Sequence, residues 1–310
     1  MEDDSLKALR MMMLIRAFET ALSKRRDHGF QLLSTGEEAV AVGLCSALLE
    51  KDQLLTGGRS IGPALARGVD PGRLMAELLG KTAGTNSGKG GRGHLSDSGS
   101  GFFGAHAVVG GNISIAAGVA LAKKMEGDGG FVAVQFGDGA CGAGVLHETL
   151  NMAAIWKLPI LFACNNNQLS VSTSRADVLA PKQLSDLGTS FGLPSRTVDG
   201  MDVVAVAEAA RSAAQMIRQG GGPVFLEFLS QRFSSHSTTA RETRSAAELV
   251  EIKTRCPIQR EIARLRASGL IDTPREDALQ KEAEASVAEA LAYAEASPYP
   301  IPTEALTDVG

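Results

Sequence analysis

The sequence predicts an α/β fold: a doubly wound, mostly parallel sheet with further helices at its C-terminal end. Three observations predict it. Residues 131–173 read as strand, helix, strand. Further apolar runs at 195–198 and 224–228 alternate with helical segments, as parallel crossover units do. The 310 residues, 44% hydrophobic and 21% charged, have the composition of a soluble globular protein with room for one large α/β domain and appended helices.

The organising stretch is FVAVQFGDGACGAGVLHETLNMAAIWKLPILFACNNNQLSVST. Residues 131–136 form a short apolar run with the character of a buried strand. Gly137-Asp138-Gly139 follows at once. Val145, Thr149, Met152 and Trp156 then recur at helical spacing until Leu158-Pro159 breaks the pattern. A second apolar run, 160–164, ends in Asn165-Asn166-Asn167. A parallel crossover of this length is right-handed in nearly all folds. Parallel strands bring their carboxyl ends together, so Asp138 and Asn167 meet at one sheet edge although 29 positions separate them. Ligands of open α/β sheets bind at that edge. One carboxylate plus neutral oxygens suits a hard cation such as Mg²⁺, which keeps its other sites for water and phosphate oxygens. The glycines let phosphate approach the backbone, and the N-terminus of the following helix favours an anion. A metal-bridged diphosphate is the natural occupant; for the motif alone, an ordinary Asp-Gly turn and Asn-rich loop is the plain alternative.

GDG, a little under thirty residues, then a run ending in Asn-Asn resembles the motif of thiamine diphosphate enzymes. The stretch 140–167 looks like the alpha subunit of the 2-oxo acid dehydrogenase decarboxylating component, the type shared by pyruvate, branched-chain and acetoin dehydrogenases. The resemblance runs from about residue 5 to the C-terminus. It implies the thiamine diphosphate-binding fold, diphosphate-binding half, over residues 1–240 with N-terminal helices. Residues 241–310 are then a helical extension with a proline-containing tail.

Taken in order, residues 5–26 read as an amphipathic helix with Leu6, Leu9, Met13, Ala17 and Leu22 roughly on one side. Residues 13–19 resemble the family's opening helix. Thr35 with Glu38 reads as a capping box opening a helix to about residue 50, and a solvated helix start accounts for Glu37 and Glu38. Residues 56–62 are a loop in which Arg59 matches the family's diphosphate-contacting arginine. Gly58 and Ile61 stand where the family has Tyr and His. A short helix and a second one over 71–79 follow. Residues 82–104 are rich in Gly, Ser and Asn, a flexible or tightly turning loop, and Gly90-Gly91-Arg92-Gly93-His94 resembles the family's GGSMH. Residues 102–110 match the segment that holds the aminopyrimidine through backbone carbonyls, at Ala107 and Val109. Residues 112–124 form the next helix.

Beyond the central unit, residues 185–192 lead to a strand at 195–198. Asp199-Gly200-Met201-Asp202 is a turn and N-cap for a helix over 203–219, and glycines 220–222 end it. A strand follows at 224–228. Residues 231–237 align with the family's Arg-Tyr-x-Gly-His-Ser loop, His236 being the matching histidine. Ser245 with Glu248, and Thr273-Pro274-Arg275-Glu276, read as capping boxes, the second opening a helix to about residue 296. Pro298, Pro300 and Pro302 force an extended tail.

Composition excludes several classes. A net charge of −4 gives no reason to propose nucleic acid or an anionic membrane as partner. Cys45, Cys141, Cys164 and Cys256 form no CxxC pair, against a disulfide framework or zinc site, and fit a reducing cytoplasm. No basic segment precedes a long apolar one, and no run reaches membrane-spanning length.

The resemblance implies thiamine diphosphate and Mg²⁺ as cofactors, with Asp138, Asn167 and the carbonyl of Leu169 on the metal. Arg59 and His236 would hold phosphate oxygens, and Gly137, Gly139 and Ala140 would line the diphosphate. His236 and His106 remain as catalytic candidates. The Glu that protonates the pyrimidine ring comes from a separate beta subunit, implying an α2β2 heterotetramer and a lipoyl acyltransferase as a further partner. The family's substrate-side His falls at Leu32. With Gly58 and Ile61 that makes three polar or aromatic positions lost, and it keeps three readings open. They are a 2-oxo acid dehydrogenase alpha subunit, a transketolase- or acyloin-type half enzyme, and a non-catalytic subunit.

Overall fold

The computed structural model describes residues 4–25 and 29–307. The chain opens with α1 (Asp4–Ser23) and α2 (Glu38–Cys45), passes through β1 (Gln53–Thr56), α3 (Ile61–Arg67) and α4 (Pro71–Leu78), and reaches β2 (Phe102–Ala105) after a glycine-rich loop. The central unit is α5 (Gly111–Glu126), β3 (Val132–Gly137), α6 (Gly144–Trp156) and β4 (Ile160–Asn166). A small antiparallel hairpin, β5 (Leu169–Ser170) with β6 (Thr173–Ser174), leads to α7 (Arg175–Val178), α8 (Ser185–Ser190), β7 (Ser195–Asp199), α9 (Val203–Arg218) and β8 (Val224–Leu229). The last helices are α10 (Ala246–Thr254), α11 (Pro257–Ala267) and α12 (Thr273–Ala296).

The main sheet has six strands among the described residues, ordered β2-β1-β3-β4-β8-β7, and every pairing is parallel. Parallel sheets must be covered on both faces, and the strand residues show it. Val132, Val134, Phe136, Ile160, Phe162 and Cys164 point to the side packed by α5, α6 and α8. Ala133, Leu161 and Ala163 point to the opposite side, where α1, α2 and α9 join α4, α11 and α12 in one core. Small side chains on that second face let its helices come close. The fit of α2 on α9 is tight enough that a Cβ at Gly43 would lie 2.6 Å from Val206 Cγ1.

The chain leaves β1 towards β2 on one side and continues at β3 on the other, so the strand order reverses between β1 and β3. Such a reversal opens a crevice at the carboxyl edge. Thr56 pairs with Gln135 and Gly137 with Asn165, which places the ends of β1, β3 and β4 around it.

Local details differ from expectation in four places. Helix α1 ends at Ser23 and is buried on more than one side, with Met12, Ile15 and Phe18 fully covered, because α12 and α11 pack beside α2; the expected helix end at Arg26 lies outside the described residues. The Thr35–Glu38 capping box does not form: Glu37 occupies the N-cap with no side-chain cap, and the helix stops at Cys45 rather than near residue 50. The glycine-rich loop is pinned rather than slack. The buried Glu77 carboxylate accepts from the backbone N–H groups of Asn86, Gly88, Gly90 and Gly91 at 2.7–2.9 Å. Finally, α12 is capped by Asp272, which accepts from Arg275 N at 2.8 Å, and not by Thr273. With Asp272 as the N-cap, the helix starts one residue earlier and the capped N–H is that of Arg275 instead of Glu276. The Asp202 cap and the Ser245–Glu248 box form as expected. Among the described residues no helix is long and apolar enough to cross a membrane.

Candidate active site

A cavity of about 360 Å³ occupies the crevice between β1, β3 and β4. A groove of about 420 Å³ between α1, α2 and α9 is larger, but it lies behind the helices, away from the carboxyl edge. Of the expected site residues, Arg59, Ala107, Val109, Gly137, Asp138, Gly139, Ala140, Asn167, Leu169 and His236 all line the crevice cavity. Strand β3 delivers the first acid. Gly137 ends the strand and Asp138 opens a 3₁₀ turn, Asp138–Gly142, that turns the chain into α6. Strand β4 delivers the asparagines, and each is tied differently. Asn165 Oδ1 accepts from Ser230 Oγ at 2.5 Å, and Asn166 Nδ2 donates to Glu227 Oε1 at 2.6 Å. Asn167 Nδ2 donates to Glu37 Oε1 at 2.7 Å, while its Oδ1 accepts from Leu169 N at 3.1 Å. Asn166 is thus spent on the fold, holding the buried Glu227 that also gathers α8 and β7.

Charge is concentrated here without enough partners. Asp138 is buried, its Oδ2 has no hydrogen bond, and burial raises its pKa to about 6 against the pull of its own and Gly139's backbone N–H groups. Arg232 is buried, bonds only to the Val171 carbonyl through Nη2, and leaves Nε and Nη1 unsatisfied. Burial, then the Arg59 and Arg244 charges, lower it to about 10. Glu37 Oε2 is likewise buried and unpartnered, and burial raises that carboxyl's pKa. Gln135 Oε1, Asn112 Oδ1 and Thr56 Oγ1 sit, like Asp138, on residues that line the cavity, whereas Glu37 and Arg232 stand behind it, bonded to the lining residues Asn167 and Val171. A buried polar atom without a partner costs free energy, on the order of 1–3 kcal/mol and more for a charge. So many around one cavity are what a charged ligand would satisfy. A divalent cation in the cavity would supply the partner that Asp138 Oδ2 lacks, and an anion beside it would suit the Arg59 guanidinium on the wall.

Arg59 Nη1 donates to Leu33 O at 2.6 Å and Nη2 to His236 O at 2.9 Å, with His236 Nδ1 3.3 Å away. The pair is therefore one unit held at the cavity wall. Burial, then Arg59 and Arg232, push the His236 pKa down, so its imidazole is neutral at physiological pH and offers one donor. His106 stands outside this group. It does not line the cavity; its Nδ1 accepts from Val108 N at 3.1 Å and its ring meets His94 edge-on, 5.7 Å between centroids. At the mouth, the Arg92 guanidinium lies 3.5 Å from the Phe30 ring centroid. Leu32 and Gly58 both line the wall, whereas Ile61 is buried in the helical core.

The reading of Glu37 and Glu38 as a solvated helix start is overturned. Both are buried, at 1% and 0% exposure. Glu38 binds Arg16 Nε at 2.5 Å and Gly36 N at 3.0 Å. Thr35 Oγ1 turns instead to the buried Glu19. Sequence reasoning missed Glu37 because a capping pattern explains such a pair locally, while its partner Asn167 is 130 positions away. It missed Arg232 as well; that residue lay inside the quoted Gln231–Ser237 stretch, but only burial shows its charge to be unmatched.

The family described as dehydrogenase E1 component matches residues 6–303, and the chain belongs to that family. Among its relatives, the alpha subunit of the pyruvate dehydrogenase E1 component of Rhizobium meliloti is 38% identical over 99% of this chain and 90% of its own length. The alpha subunit of acetoin:2,6-dichlorophenolindophenol oxidoreductase from Cupriavidus necator is 37% identical over 98% of this chain and 93% of its own. The human somatic, mitochondrial pyruvate dehydrogenase E1 alpha subunit is 34% identical, over 96% of this chain and 77% of its own length. All three of these relatives are alpha subunits.

Proposed function

We propose that this chain is the diphosphate-binding alpha subunit of a two-chain thiamine diphosphate enzyme that decarboxylates a 2-oxo acid and passes the acyl group on. The observation that carries the reading is the buried, unpartnered Asp138 oxygen in the cavity at the strand-order reversal, backed by Glu37 and Arg232, which are bonded to the lining residues Asn167 and Val171 and keep unpartnered polar atoms of their own. Asp138, Asn167 and the Leu169 carbonyl would hold Mg²⁺, an all-oxygen donor set of the kind that cation takes. Among the described residues no three His, Cys, Asp or Glu side chains gather as a metal cluster, in keeping with a cation that completes its shell from phosphate and water.

When bound, the cofactor supplies a carbanion that adds to the oxo carbon and a sink for the electrons left when CO₂ departs. The chain's own residues do the rest. Arg59 and Arg232 neutralise phosphate oxygens, and the neutral His236 donates one hydrogen bond there. The backbone at Ala107 and Val109 offers carbonyls to the aminopyrimidine, and Gly137, Gly139 and Ala140 let the diphosphate lie against the main chain. Leu32 narrows the wall beside Gly58, where a Cβ would sit 3.0 Å from Leu32 Cδ1, and keeps water from the reacting carbon.

The Glu for the pyrimidine ring comes from a beta subunit, in an α2β2 heterotetramer. Of the two buried acids at the start of α2, Glu38 binds Arg16 and Glu37 holds Asn167 through Oε1. A lipoyl acyltransferase receives the acyl group in the complex. Residues 1–240 form the diphosphate-binding part and 241–310 the helical extension. The four buried free cysteines support a reducing cytoplasm. Calorimetric titration of the chain with its partner subunit, using thiamine diphosphate and Mg²⁺, tests the reading: stoichiometric binding lost in Asp138→Ala is expected, and unchanged affinity in that variant removes the metal assignment.

The apolar wall at Leu32 and Gly58 favours a second reading, transfer of the acyl carbanion to an aldehyde or ketone acceptor with carbon–carbon bond formation. Product analysis with a panel of 2-oxo acids and aldehydes separates the two.

A further inference from the structure

The geometry points to Glu37 as the residue that positions Asn167 for the metal, an inference that rests on the metal site proposed above. An asparagine amide presents either its oxygen or its nitrogen in a given direction, and only the oxygen binds a cation. Here two neighbours decide which way it lies. The Glu37 carboxylate accepts from Asn167 Nδ2 at 2.7 Å, and the Leu169 N–H donates to Asn167 Oδ1 at 3.1 Å. A carboxylate only accepts and a backbone N–H only donates, so both fix the same orientation. Oδ1 keeps a second lone pair. Without Glu37, the Leu169 N–H alone would hold the side chain, and Nδ2 would be left without its partner.

Glu37 is itself held from outside the cofactor site. Gly36, at φ +100°, makes the turn before α2, and a Cβ there would collide with the Gln231 carbonyl. Phe233 N donates to Thr35 O at 2.8 Å, and Glu38 is bonded to Gly36 N and Arg16. The turn carrying Glu37 is therefore clamped to the 231–233 strand exit, next to Arg232. Its second oxygen, Oε2, is buried and has no partner. Groups behind metal ligands that orient them commonly change metal affinity by about 10–100-fold when removed.

The test is metal affinity, read from the free Mn²⁺ signal in paramagnetic resonance with saturating thiamine diphosphate, on the full chain purified with its partner subunit. Glu37→Ala is expected to weaken Mn²⁺ by about tenfold or more. Glu37→Gln keeps an acceptor facing Asn167 Nδ2 and should recover most of that loss. Glu37→Met, of matching length without an acceptor, replaces Glu37→Ala if the smaller side chain does not fold. Because Glu37 acts through Asn167, adding Asn167→Ala to Glu37→Ala should cost little more than Asn167→Ala alone. Wild-type affinity in folded Glu37→Ala, full additivity in the double variant, or equal losses in the Gln and Ala variants each overturn the inference. A wild-type complex that binds no Mn²⁺ in the presence of thiamine diphosphate refutes instead the metal site on which it rests.

Discussion

Replacing Asp138 by Asn should stabilise the metal-free chain at alkaline pH while abolishing its response to cofactor. Burial lifts the Asp138 pKa from its ordinary 3.8 to about 6. At about 1.4 kcal/mol per pH unit, holding that carboxylate charged in the folded state costs about 3 kcal/mol. The sign follows from proton binding. The folded chain binds this proton more tightly than the unfolded one, so the wild type loses stability as pH rises from about 4 through about 6. Asparagine removes that dependence. With unfolding entropy near 2.1 cal/mol/K per residue and 310 residues, ~3 kcal/mol corresponds to a Tm rise of about 5 °C. The gain should shrink to ~1 kcal/mol near pH 4.5. The wild type should meanwhile gain about 2.7 kcal/mol, or about 4 °C, from cofactor and Mg²⁺ at 100 times Kd, and the variant nothing. Thermal unfolding in EDTA and with cofactor, at both pH values, measures all four quantities. A variant that melts at or below the wild type in EDTA at alkaline pH, or one that keeps the cofactor shift, refutes the reasoning.

Arg59→Ala should weaken thiamine diphosphate more than His236→Ala, because the Arg59 guanidinium offers several fixed donors and also holds the His236 carbonyl, whereas a neutral imidazole gives one donor; equal losses by calorimetry point to a different phosphate ligand. The chain alone, supplied with thiamine diphosphate and Mg²⁺, should show no turnover with an artificial electron acceptor and no acyloin formation; full activity without a second polypeptide would overturn the two-chain reading and promote Glu37 or Glu38 to catalysis. Glu19, with its pKa raised by burial to about 7 despite bonds from Ser34 and Thr35, should make the chain less stable as pH climbs from about 4.5 to above 7, by ~3 kcal/mol. Glu19→Gln should flatten that slope in denaturant titrations, and a wild-type-minus-variant difference that does not fall with pH counts against it.

Sequence alone determined the fold class, the central strand-helix-strand unit and the meeting of Asp138 with Asn167. It could do so because each rests on short-range pattern: apolar runs of strand length, helical spacing, and the rule that parallel strands share a carboxyl edge. The resemblance carried Arg59, His236 and Leu169 to the same cavity. What the sequence could not decide were the roles of groups whose partners are distant in the chain. Thr35 and Glu38 satisfy a capping pattern, yet Thr35 turns to Glu19 and Glu38 to Arg16, because α1 packs across the start of α2 and buries both acids there. Glu37 and Arg232 read locally as a surface acid and a loop cation. Only the packing of the 231–233 segment against the turn before α2 removes both from water beside Asp138 and leaves Glu37 Oε2 and Arg232 Nε and Nη1 without hydrogen-bond partners. Desolvation depends on everything that surrounds a group, and that environment exists only in the folded chain.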